Sequence, residues 1–321
     1  MSLIPSLTVG KKRNSILKTF NFGLVHSLVT PFKEGKIDFD ALGHLIEFHI
    51  QHKADGLAIP SHTGESVSIT GIERKEIFTF AVKTANGRVP IIANVSEAGT
   101  DLACDLAQSA MDAGASALYA CTPYYWTPPE SMLLEHFTKI GKAGQLPFFV
   151  YNSPEEMSGV KVSSKLVLNL IRDLPEFAGI IDLSLDWQYM IEVISEAKRM
   201  QPNFQLISGT EYMISARAIG ATGLLSSISN VAPQLIRHLY DLCLKENFEA
   251  AYQLQVDAAF LYRLFNQYGI SGLKAISHSL GRDVGATRVP LDQLQSDQIE
   301  KLQQEWQSCP GIKNEPLAWN A

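Results

Sequence analysis

The chain has 321 residues, 46% of them hydrophobic and 19% charged, so it can bury a core without disulfides and is no disordered polymer. Its 27 basic and 33 acidic residues leave a formal charge of −6, which excludes nucleic acid or an anionic membrane as a partner held by net attraction. Four scattered cysteines (Cys104, Cys121, Cys243 and Cys309) form no CxxC pair and read as buried thiols in a reducing compartment.

Residues 1–22 mix Pro5, Gly10 and Lys11-Lys12-Arg13 without the apolar core of a signal peptide, and we expect an irregular arm there. No apolar run approaches the ~18 residues a membrane helix needs, so the expected address is the cytoplasm. From residue 23 a short apolar run recurs. The first are Gly23–Val29, Gly56–Pro60 and Val89–Val95, then Ser116–Cys121, Pro147–Tyr151 and Ala178–Asp182. Phe204–Ser208 and Thr222–Ser227 complete the series. Runs that are nearly all apolar predict strands buried on both faces, as in a parallel sheet.

Helical patterns lie between them. Phe39–His52 places Leu42, Leu45, Ile46 and His49 three and four residues apart, and Asp101–Met111 follows Thr100 as N-cap. Gly114 and Gly220 stand where a helix gives way to the next strand. Eight such strands at roughly 30-residue spacing predict a parallel sheet that closes on itself, an α/β fold of the (β/α)8 TIM-barrel type. No GxGxxG follows any strand, which argues against a dinucleotide-binding sheet. We expect the barrel over residues 23–246. A C-terminal three-helix extension follows over 247–308, from patterns in 232–267, 271–280 and 292–307, and then an irregular tail, 309–321.

In a barrel of this kind chemistry gathers where the strands end. That rule selects Ser61-His62-Thr63-Gly64-Glu65-Ser66, Thr122-Pro123-Tyr124-Tyr125-Trp126 and Tyr151-Asn152-Ser153-Pro154. It also selects Ile181-Asp182 and Ser208-Gly209-Thr210-Glu211. Thr63-Gly64-Glu65-Ser66, Thr122-Pro123-Tyr124-Tyr125, Tyr151-Asn152-x-Pro154 and Ser208-Gly209, in this order, resemble the dihydrodipicolinate synthase / N-acetylneuraminate lyase family. Leu28-Val29-Thr30-Pro31-Phe32 and Gly223-Leu224-Leu225-Ser226 extend the resemblance over about residues 22–307. It implies a lyase or aldolase that holds a 2-keto acid as an imine on a lysine of the sixth barrel strand, without cofactor or metal, in a homotetramer.

The chain departs from that pattern where it matters. The family reads Gly-Ile-Lys on the sixth strand; this chain reads Gly179-Ile180-Ile181-Asp182. Ile181 has no amine to attack a keto carbon. His62 stands where the family has the first of two hydroxyl residues. Glu155-Glu156-Met157 replace an arginine suited to a second substrate carboxylate. The resemblance makes Tyr151 and Tyr125 candidate catalytic residues, and His62 adds a candidate acid–base group. Thr63, Gly64 and their neighbouring N–H groups, with Gly209 and Leu225, would bind a small carboxylate or 2-keto acid. Lys161 is the candidate substitute nucleophile near the mouth, Lys274 is expected to pack or face solvent, and Glu65 to bond its own loop backbone. The expected function is a keto-acid pocket with acid–base lyase or hydratase chemistry in place of imine chemistry; the alternative is a non-catalytic carboxylate-binding or oligomeric pseudoenzyme.

Overall fold

The computed structural model describes residues 20–155 and 159–319. Most of the arm expected over 1–22 thus lies outside the described residues, as do Glu156, Met157 and the last two residues of the tail. The first strand, β1 (Leu24–Ser27), is followed by a hairpin of β2 (Phe32–Lys33) and β3 (Lys36–Ile37). Its turn residues Glu34 and Gly35 both have positive φ, the backbone that suits a two-residue hairpin. The remaining barrel strands are β4 (Gly56–Ile59), β5 (Ile91–Asn94), β6 (Ala117–Cys121), β7 (Phe148–Asn152), β8 (Phe177–Asp182), β9 (Gln205–Ser208) and β10 (Gly223–Ser226). They close in the order β1-β10-β9-β8-β7-β6-β5-β4, with parallel neighbours throughout. Every residue of the eight is buried, which is why their sequences show apolar runs rather than alternation. The hairpin is the element the sequence reading lacked.

The helices are α1 (Phe39–Gln51), α2 (Gly71–Ala85), α3 (Thr100–Ala113), α4 (Glu130–Gly144), α5 (Ser164–Asp173), α6 (Trp187–Met200), α7 (Met213–Ala218) and α8 (Pro233–Leu244). Thr70 and Glu73 form a reciprocal capping box that starts α2. Thr100 is the first residue of α3 rather than its cap: Gly99 takes the cap position, and the Thr100 hydroxyl meets His136 Nδ1 at 2.9 Å. Gly114 ends α3 at φ 91°, as expected of a C-terminal glycine. Beyond the barrel, α9 (Phe248–Ser279) is broken at Gly269 (φ 62°, ψ −157°), and α10 (Ser296–Gln307) packs against it. The gap between the two predicted helical patterns is this break. The barrel with its C-terminal helices is therefore as expected, and among the described residues no helix is long and apolar enough to cross a membrane.

The core has an inside and an outside. Val25, Ala58, Ile92, Phe149, Ile181 and Ile207 fill the barrel together with Tyr119 and Tyr151, while two larger clusters glue the helices to its outer wall. The tail is docked: the Glu315 carboxylate accepts from the N–H groups of Gln234 (3.1 Å) and Leu235 (2.7 Å), capping α8. Buried Arg282 stacks on Phe48 and donates to the carbonyl of Pro316 at 2.6 Å.

Candidate functional site

The C-terminal strand ends open into a cavity of about 230 Å³. On one wall, the Ser27 hydroxyl at the end of β1 lies 2.8 Å from Ser61 Oγ and 3.0 Å from Thr63 Oγ1, and Ser61 donates onward to the carbonyl of Leu28 (3.2 Å). One proton per hydroxyl makes this a relay from Thr63 through Ser27 and Ser61 to that carbonyl, with Thr63 at its open end toward a ligand. Three of the loop's backbone N–H groups are spent internally: Gly64 and Ser66 donate to the carbonyl of Ser61, and Glu65 to that of His62. Those three are withdrawn from the expected cradle, and hydroxyls line this wall. Gly64 is required by close approach, since a Cβ there would lie 2.8 Å from the Leu28 carbonyl oxygen and 2.9 Å from Thr30 Oγ1.

Glu65 faces away from the cavity, with left-handed backbone (φ 60°). Its carboxylate accepts from the backbone N–H of Arg288 (2.8 Å), in a different loop from the one expected, and pairs with Lys274 Nζ at 2.6 Å. Both side chains of that pair are buried. Lys274 also donates to the carbonyl of Ala286 at 3.1 Å, and burial pulls its pKa down against the opposing charge of Glu65. Lys274 thus packs, as one of its two expected placements had it.

The predicted site residues divide. His62, Thr63, Tyr151, Gly209 and Leu225 all line the cavity; Gly64 and Tyr125 do not. Tyr125 is 83% exposed at φ 74°, edge-on to Trp126 with centroids 5.2 Å apart. Ile181 is fully buried in the interior cluster that also holds Tyr151 and Leu225, in register between Tyr151 on β7 and Ile207 on β9. Lys161 is held outside the mouth by Asp186 (2.6 Å) and the Tyr189 ring (4.2 Å from its centroid). Leu183 rests over Gly209, where a Cβ would meet its Cδ1 at 2.1 Å, yet the cavity stays open.

Several lining groups were absent from the sequence reading. Tyr119 on β6 lies 5.8 Å from the Tyr151 ring, centroid to centroid, and its buried hydroxyl finds no partner among the described residues. Burial raises its pKa, so the phenol stays protonated. The signal was a lone tyrosine in the otherwise small and aliphatic run Ala117–Cys121. Tyr262, Phe265, Asn266, Gly269 and Ile270 come down from α9 and form the outer wall. Around the rim, Asp182 accepts from Asn152 (2.5 Å) and from Ser184, and Glu211 accepts from the Ser226 hydroxyl (2.8 Å) and the N–H groups of Ser227 and Ile228. Burial raises the pKa of both carboxyls. Among the described residues no lysine, arginine or carboxylate lines the cavity, and no group of three or more His, Cys, Asp or Glu could hold a metal ion.

Comparison with known proteins agrees with this architecture. The Dihydrodipicolinate synthetase family matches residues 21–308. The 4-hydroxy-tetrahydrodipicolinate synthase of Alkaliphilus oremlandii is 32% identical over 282 residues, 87% of this chain and 95% of the relative. That of Aquifex aeolicus is 29% identical over 284 residues, 88% and 95% of the two chains. The crystal structure of dihydrodipicolinate synthase from Aquifex aeolicus superposes with a TM-score of 0.86 at 28% identity, covering 92% of this chain and 99% of that one. A Bacillus anthracis dihydrodipicolinate synthase gives 0.86 at 27%, covering 91% and 100%. With the family match spanning nearly all of the barrel and its helical extension, this chain belongs to the dihydrodipicolinate synthetase family.

Proposed function

We propose that the protein binds a small 2-keto acid or related carboxylate in the barrel mouth and does not form an imine with it. The observation that carries this reading is an open cavity lined by Tyr151, His62 and Thr63 with no lysine among its described lining residues, above a sixth barrel strand that bears Ile181. Thr63 and the Ser27–Ser61 hydroxyls seat the carboxylate. Tyr151, a buried phenol at the cavity wall, and His62, exposed at its rim, are the acid–base pair for a lyase or hydratase step. Borohydride trapping with pyruvate, read by intact and peptide mass spectrometry, tests the reading. No adduct is expected, while a lysine-bearing family member trapped in parallel gives one. An adduct on Lys161 or any other lysine would overturn it.

A second reading is a carboxylate-binding pseudoenzyme whose role lies in assembly. The exposed Tyr125–Trp126 pair, aimed away from this chain's own cavity, favours it and supports a contact between subunits of a homotetramer. Exchange of pyruvate methyl protons into D2O separates the two: exchange lost in Tyr151→Phe supports acid–base chemistry, and ligand binding without exchange supports the pseudoenzyme.

A further inference from the structure

Among the described residues no lysine, arginine, aspartate or glutamate lines the mouth. Glu65 is tied to Lys274 and Arg288, Glu211 to the backbone at Ser227 and Ile228, Asp182 to Asn152 and Ser184, and Lys161 to Asp186. What remains is a cavity with two unlike halves. The inner half presents the hydroxyls of Thr63 and Ser61. The outer half is built by α9 at its break, where Phe265 and Ile270 offer apolar surface and Asn266 an exposed amide. The other polar lining residue of α9, Tyr262, meets the Tyr212 ring edge-on with centroids 5.5 Å apart. At the break itself Gly269 leaves open space, with nothing within 4 Å of where a Cβ would stand.

From this division we infer that the outer half is a subsite for an uncharged, hydrogen-bonding tail, read by Asn266, so that the ligand carries a single carboxylate. The inference rests on the keto-acid reading of the inner half. An amide both donates and accepts, which matches a hydroxyl and gives no charge to a second carboxylate. A second carboxylate brought here would lose part of its water against Phe265 and Ile270 and meet no lysine or arginine among the described lining residues. The apolar neighbours of Asn266 cover the carbon chain between the two polar ends.

Four probes differing only in the tail test this by titration calorimetry: pyruvate, 4-hydroxy-2-oxobutanoate, 2-oxopentanoate and 2-oxoglutarate. The hydroxylated acid is expected to bind about fivefold more tightly than its methyl isostere 2-oxopentanoate, the value of one neutral hydrogen bond, and at least about tenfold more tightly than 2-oxoglutarate. Asn266→Leu, at an exposed helical position, should abolish the fivefold preference. Asn266→Lys should raise affinity for 2-oxoglutarate. Pyruvate binding without tail discrimination, or a hydroxyl preference that survives Asn266→Leu, overturns the subsite and leaves the inner site standing. Failure of the wild-type protein to bind pyruvate overturns both.

Discussion

Ile181→Lys is the substitution that most directly interrogates the site. The position is fully buried, in the cluster shared with Tyr151 and Leu225, and both of those residues border the cavity. A lysine there has a short path to the mouth and an apolar bed around its stem. Burial of this kind lowers an ammonium pKa by roughly 3 units from ~10.4, and each unit corresponds to about 1.4 kcal/mol. The variant should therefore be less stable than the parent by about 4 kcal/mol near neutral pH, while holding a largely neutral, nucleophilic amine just above it. The sign of the pH dependence follows: with the folded pKa below the unfolded one, the unfolded chain binds more protons in between. The penalty is then full below the folded pKa and shrinks as pH rises from ~7 toward ~10. Chemical denaturation of both proteins across that range measures the trend. Borohydride trapping with pyruvate measures the chemistry, with an adduct on residue 181 expected in the variant alone. A folded variant that gives no adduct would falsify the placement of Ile181 beneath the mouth, and a penalty that grows with pH would refute the burial argument independently.

Other substitutions probe the scaffold that holds the mouth. Lys274→Met leaves the Glu65 carboxylate buried without its cation and should cost about 3–5 kcal/mol in urea unfolding; the double variant Glu65→Gln/Lys274→Met should recover most of it, and simple additivity would disprove the pairing. His26 and His49 are fully buried with their Nδ1 atoms 2.8 Å apart, and burial lowers both pKa values, that of His26 to about 3. Since the unfolded chain takes up these protons first, stability should fall as pH drops below ~6.5, by roughly 2–3 kcal/mol at pH 4.5 for His26 alone, and His26→Leu/His49→Leu should flatten that slope. Gly64→Ala forces a methyl against the Leu28 carbonyl and should cost about 1–3 kcal/mol while weakening pyruvate binding; an unchanged affinity in calorimetry would detach the loop from the ligand.

The barrel was legible because its strands are buried on both faces. Runs such as Pro147–Tyr151 and Ala178–Asp182 carry a signal that needs no partner to interpret. The hairpin at Phe32–Ile37 was not, because each of its strands has two residues and periodicity has nothing to repeat. The strand-end rule found His62, Thr63, Tyr151 and Gly209, since their place in the chain and their place at the mouth coincide. It missed two kinds of residue. Tyr119 sits inside a strand rather than after one, and Asn266 reaches the mouth only because α9 folds back over the barrel, a tertiary fact that no local pattern encodes. Glu65 was misassigned for the same reason: its partners Lys274 and Arg288 lie more than two hundred residues further along the chain.

The separation of functions around the barrel gives the keto-acid reading its physical coherence. In the closed order β1 neighbours β4, and these two strands carry the Ser27–Ser61–Thr63 hydroxyls; β8, which carries Ile181, lies three strands away through β10 and β9 and four through β5, β6 and β7. The carboxylate wall and the imine position therefore stand on opposite sides and share no hydrogen bond. An isoleucine on β8 puts no buried amine there and makes no demand on the opposite wall. With one proton each, Thr63, Ser27 and Ser61 donate in turn toward the Leu28 carbonyl, so Thr63 stands at the open end of the relay. Turning that proton from Ser27 to a ligand carboxylate exchanges a neutral hydrogen bond for a charge-assisted one, which is the physical case for a mouth that binds.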